Sequence, residues 1–92
     1  MTTQVLLEAN LSSIASCLRE GEVAVRLGGL RTVMSESLVI KRGTFLFIDG
    51  RGSQIQLSND AQFVVEDGGR LCLFNLALEG GSRAQILFAN IF

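Results

Sequence analysis

The side chains able to do chemistry in this chain are carboxylates and guanidiniums, most of them set beside glycine or asparagine. Asp49 precedes Gly50, Asp60 follows Asn59 and Asp67 precedes Gly68; Arg51, Arg70 and Arg83 fall in or near the same segments. Two carboxylates at a fixed separation can cleave a glycosidic bond. Clustered oxygens suit calcium, and a row of Arg could line a groove for acidic sugars. The local context favours a plainer role. Asp and Asn next to Gly is turn chemistry, because these residues bond their own backbone and tolerate the conformations a turn requires. Scattered Arg side chains are ordinarily solvated. We therefore assign no catalytic residue, no cofactor-binding residue and no metal ligand, and expect no cofactor.

The residues that are missing exclude more. The chain has no His, so a Ser-His-Asp or Cys-His nucleophile and a His-ligated metal site cannot be built within it. It has no Pro, which fits a chain whose backbone N–H groups are mostly committed to strand ladders. Cys17 and Cys72 are far apart in sequence and form no disulfide framework; both read as small apolar residues. With 92 residues, 48% hydrophobic and 18% charged, the chain is long enough for one domain and too apolar to be disordered. A net charge of −1, with no basic stripe, no Trp and no Tyr, argues against nucleic acid as a partner. No apolar run approaches the ~20 residues of a membrane-spanning helix, and the first residues do not form a secretory signal.

The elements that position these residues repeat. Shifted by 25, Leu38-Val39-Ile40 falls on Phe63-Val64-Val65, Gly43 on Gly68, Leu46 on Leu71 and Ile48 on Leu73. Lys41-Arg42 falls on Glu66-Asp67, so in-register stacking would set opposite charges against each other. Each copy reads as a short apolar strand, a charged turn with Gly, and a second apolar strand. Before the repeat, Leu7, Leu11, Ile14 and Leu18 recur at the spacing of one helical face, which predicts an amphipathic helix over residues 4–19 ended by Gly21. Val23, Val25 and Leu27 then alternate as a strand with Ala24 and Arg26 on its other face. Asn75 is expected to bend the last copy. Phe88 lies 25 beyond Phe63, so a further copy is expected to begin and stop at Phe92. This suggests a chain truncated at its C-terminal end, with self-association through that open end. If Leu46, Ile48, Leu71 and Leu73 face inward, then Phe45, Phe47, Cys72 and Phe74 face outward as a possible interface.

The amphipathic N-terminal stretch, EVAVRLGGLRTV and SLVIKRGTFLFIDGRGSQIQL resemble the N-terminal cap and first coils of the right-handed parallel β-helix, the pectate-lyase-like superfold. GGRLCLFNLALEGGS resembles the coil motif of the polymorphic outer-membrane repeat proteins. The resemblance implies an all-β fold: a parallel β-helix of about three coils over residues 22–92, with a capping helix in residues 1–21. It implies a non-catalytic scaffold, the N-terminal part of a surface, adhesion or carbohydrate-binding protein. The partner would be a polysaccharide or a protein, and the location extracellular or at the cell surface. The alternative is the first coils of a polysaccharide lyase or glycosidase whose active site lies further along. No residue here matches the catalytic motifs of those enzymes.

Overall fold

Parallel strands cannot be joined by a tight hairpin, so a chain that pairs them must travel around the molecule between partners. That constraint sets the architecture found in a computed structural model, which describes residues 3–7, 14, 18, 20–29, 31–81 and 84–89. Its described strands are β1 (Thr3–Leu7), β2 (Gly21–Arg26), β3 (Arg31–Met34), β4 (Leu38–Ile40), β5 (Thr44–Leu57), β6 (Phe63–Glu66), β7 (Arg70–Gly80) and β8 (Ile86–Ala89). Every pairing among them is parallel. They form two small sheets. In the five-stranded sheet β5 is the centre: its first half pairs with β2 and its second half with β3 on one edge, and both halves pair with β7 on the other. β1 extends the sheet beyond β2, and the three-stranded sheet runs β4-β6-β8.

Two-residue alternation sends one set of side chains into the space between the sheets. Val23, Val25, Leu46, Ile48, Ile55 and Leu57 come from the larger sheet, Leu38, Ile40, Phe63 and Val65 from the smaller, and all belong to one buried cluster. Burying such side chains contributes roughly 1.5–3 kcal/mol each relative to leaving them in water. Leu71, Leu73, Leu76, Leu78 and Ile86 pack on this cluster but stay half-buried, because β7 and β8 are edge strands.

The repeat is visible in the register. Leu38, Val39 and Ile40 lie opposite Phe63, Val64 and Val65, and Leu46, Phe47 and Ile48 opposite Leu71, Cys72 and Leu73. The spacing is not constant, however. Gly21 lies opposite Thr44, Ser53 opposite Leu76 and Phe63 opposite Ile86. Phe88 accordingly pairs with Val65 and not, as its place 25 residues on suggests, with Phe63.

Two further expectations are corrected. The right-handed parallel β-helix of about three coils with an amphipathic cap gives way to two small parallel sheets, and no helix is among the described elements. The start of the expected helix, residues 4–7, falls in the strand Thr3–Leu7 paired to β2, so the edge of β2 outcompetes the local helical pattern there. Most of residues 8–19 lies outside the described set. Ile14 is fully buried and Leu18 packs on the core, where the Leu18 N–H donates to the Ile14 carbonyl at 3.1 Å. The expected charge pairs Lys41–Glu66 and Arg42–Asp67 are also absent: the ion pairs among the described residues are Arg26–Asp49 and Arg31–Glu79. Arg42 instead lays its aliphatic stem over Gly68, whose φ is 84° and where a Cβ would sit 2.7 Å from Arg42 Cγ. The Gly43 N–H donates to the Gly68 carbonyl at 3.1 Å, and the Gly21 N–H to the Gly43 carbonyl at 2.9 Å, so the turns stack through backbone bonds.

The centre of β5 carries an irregularity. Asp49 and Ser53 lie opposite Phe74 and Leu76, so Gly50, Arg51 and Gly52 together face Asn75 alone. Arg51 and Asn75 have φ of 52° and 55°, which bends both strands at the same level. Ser53, 1% exposed, holds this bend: its hydroxyl donates to the Gly50 carbonyl and accepts from the Gly29 N–H at 3.0 Å. Ser53→Ala would strand both groups, and chemical denaturation should show a loss of about 1–3 kcal/mol. Gly50 sits where a methyl would collide with Leu76 Cβ and lie 2.6 Å from the Asn75 carbonyl oxygen, whereas nothing lies within 4 Å of a methyl at Gly28. Gly50→Ala should cost about 1–3 kcal/mol, and Gly28→Ala should be neutral or stabilising by about 0.4–1 kcal/mol. Equal effects at the two glycines in the same denaturation series would contradict the close approach of β5 and β7.

Candidate interaction face

The outward side chains of β2, β5 and β7 form a grid because the strands are parallel and in register. Its rows are Glu22–Phe45–Arg70, Ala24–Phe47–Cys72 and Arg26–Asp49–Phe74. Each member alternates with a buried or half-buried neighbour, Val23 and Val25 on β2, Leu46 and Ile48 on β5, Leu71 and Leu73 on β7. Phe45, Phe47 and Cys72 are half-buried, and Phe74 is 43% exposed. Phe47 reaches diagonally to Phe74, with ring centroids 5.0 Å apart and planes tilted by 53°. Such a tilted pair adds about 0.5–1.5 kcal/mol beyond its area burial. Cys72, opposite Phe47 on β7, is a free thiol, and Cys17 lies outside the described residues.

Ala24 shapes the face. Opposite Phe47 it leaves a cleft of about 130 Å3 lined by Glu22, Val23, Ala24, Phe45 and Phe47. A second hollow of about 310 Å3 opens beside it, where Phe45 lies between Glu22 and Arg70 at the glycine turns. Charge thus borders the apolar centre on two sides. Arg26 and Asp49 form the other border, with Arg26 Nε 4.0 Å from Asp49 Oδ2. Arg26 is solvated and Asp49 partly so, and at this separation the pair adds little to stability. The contribution of β2 is the part of the face that the 25-residue repeat does not reveal, because β2 joins β5 at the shorter spacing of Glu22 to Phe45. The signal that could have found it is the alternation in EVAVRL, which already sets Ala24 and Arg26 on the outer side.

The acidic candidates do not converge. Asp49 accepts the Arg51 N–H at 3.0 Å, closing the turn around Gly50. The Asp60 carbonyl oxygen lies 3.5 Å from the Ser37 hydroxyl, and Asn59 before it has φ of 55°, which is the geometry of a turn. Asp67 is exposed ahead of Gly68. Among the described residues no three His, Cys, Asp or Glu side chains come together in a way that could hold a metal ion. Arg70 borders the face and Arg51 lies exposed in the β5 bend; Arg83 is outside the described residues. No helix among the described residues is long and apolar enough to cross a membrane.

No protein-family model, no curated protein and no solved structure matches this chain. The likeness to pectate-lyase-like and outer-membrane repeat proteins therefore rests on sequence pattern alone.

Proposed function

We propose that the chain is a non-catalytic scaffold that docks a protein partner on the outer face of β2, β5 and β7. The observation that carries this reading is the Phe47–Phe74 ring pair on an outer, solvent-facing sheet surface. An apolar centre bordered by Glu22, Arg26, Asp49 and Arg70 has the anatomy of a protein interface, in which aromatic residues fill the middle and charged groups form a wet rim. A contiguous apolar surface, half-buried at Phe45, Phe47 and Cys72 and exposed at Phe74, supports an interaction site. The alternation that builds the face also serves the fold, since Leu46 and Ile48 anchor the strand that carries Phe45 and Phe47.

The test is a comparison of variants on immobilised protein presented with an extract of its source cells. A single partner should be retained by the native chain and lost by about tenfold or more with Phe47→Ala or Phe74→Ala, because central aromatic side chains hold most of the energy of such interfaces. Thermal denaturation of Phe74→Ala should show a loss of about 1–2 kcal/mol, since the ring is only partly covered but gives up its contact with Phe47. Retention that ignores both substitutions would contradict the reading. So would a polysaccharide whose gel retards the native chain but not Phe47→Ala, and measurable cleavage of pectic or related polysaccharides would contradict the non-catalytic role.

A further inference from the structure

β7 pairs with β5 along one edge, and among the described residues no strand pairs with its other edge. That edge presents a row of backbone N–H and C=O groups over as many as 11 residues, a template for another strand. The core is uncovered at the same end. Leu71, Leu73, Leu76 and Leu78 are only half-buried, and Phe88, opposite the buried Val65, is 66% exposed.

The pattern of β7 says what fits there. Asn75, with its φ of 55°, breaks the two-residue alternation, so that Leu71 and Leu73 before it and Leu76 and Leu78 after it all pack toward the core. The strand is therefore symmetric about the point between Phe74 and Asn75. Reversed about that point, Leu71 maps onto Leu78, Leu73 onto Leu76, Cys72 onto Ala77 and Arg70 onto Glu79. The inward set maps onto the inward set, and the one basic residue of the strand maps onto its one acidic residue.

From this we infer that β7 is the interface of a two-fold symmetric dimer, in which it pairs antiparallel with β7 of a second copy. The interface is isologous, as most dimer interfaces are. Leu71 and Leu73 of one copy lie against Leu78 and Leu76 of the other on the core side, which closes the uncovered ends of both cores. On the outer side Arg70 faces Glu79 of the second copy at both ends of the paired segment. Glu79 already lies 3.7 Å from Arg31 across a solvated contact, and that pair leaves room for a second cation. The inference goes beyond the docking reading, which uses the outer face of the sheet and not its edge, and the dimer forms without the docked partner.

Sedimentation equilibrium over a wide concentration range tests it. The native chain should pass from monomer to dimer and no further, because a two-fold interface is closed. Arg70→Glu or Glu79→Arg alone should weaken the dimer by roughly 2- to 30-fold, two cross-strand charge pairs being lost at once, and the two substitutions together should restore it. Ala77→Cys reads the register directly: under mild oxidation it should form a covalent dimer in which peptide mapping finds the introduced thiol joined to Cys72 of the second copy. A monomer at all concentrations, an open-ended polymer, charge reversals without effect, or a dimer that never joins positions 72 and 77 would each overturn the inference.

Discussion

The long strand β5 is the constraint on which the remaining structure depends. Parallel ladders give a strand two neighbours, and β5 uses both sides along nearly its whole length: β2 and then β3 on one edge, β7 on the other. Its inward residues Leu46, Ile48 and Ile55 are fully buried. Its outward residues Phe45, Phe47 and Asp49 are the middle column of the interaction face. One strand thus couples core and surface, because period-two geometry forces every anchor in the core to alternate with a side chain on the face.

The bend within β5 shows how a polar contact supports this arrangement. Three residues of β5 face one of β7, and the extra length is absorbed by left-handed backbone at Arg51 and Asn75 and by the close approach of Gly50 to β7. Ser53 satisfies the backbone groups that the bend would otherwise leave buried without partners. The bend also resets the alternation along β7, which is why four leucines on both sides of Asn75 reach the core.

Much of the interior is legible in the sequence. The alternation in EVAVRL, LVI and TFLFI marked the strands, and the shift that aligns Leu38 with Phe63 and Leu46 with Leu71 is the register of those two ladders. Asn75 read as a bend and is one. The members of the outer face could be named from the same alternation, but the ring contact of Phe47 with Phe74 and the cleft at Ala24 depend on diagonal and cross-strand geometry that spacing does not carry. The variation in spacing was hidden for a definite reason. Sliding a strand by two residues preserves which side chains face inward, so the pattern cannot separate a ladder that pairs Phe63 with Ile86 from one that pairs it with Phe88. Over residues 4–7 the expected helix gives way to a strand because periodicity is local, whereas Thr3–Leu7 is decided by the edge that β2 offers. The charge pairs failed because exposed turn side chains gain little from meeting, and Arg42 instead packs its stem on Gly68.

Native-state amide hydrogen exchange on dilute protein tests the central place of β5 most directly. If β5 is the strand on which both flanks depend, the amides of Leu46, Ile48 and Ile55 open only with global unfolding and exchange slowest of all. Along β7, every second amide, the set facing away from β5, exchanges orders of magnitude faster than its neighbours. Exchange in β5 as fast as in β8, or uniform protection along β7 in dilute solution, would contradict this account.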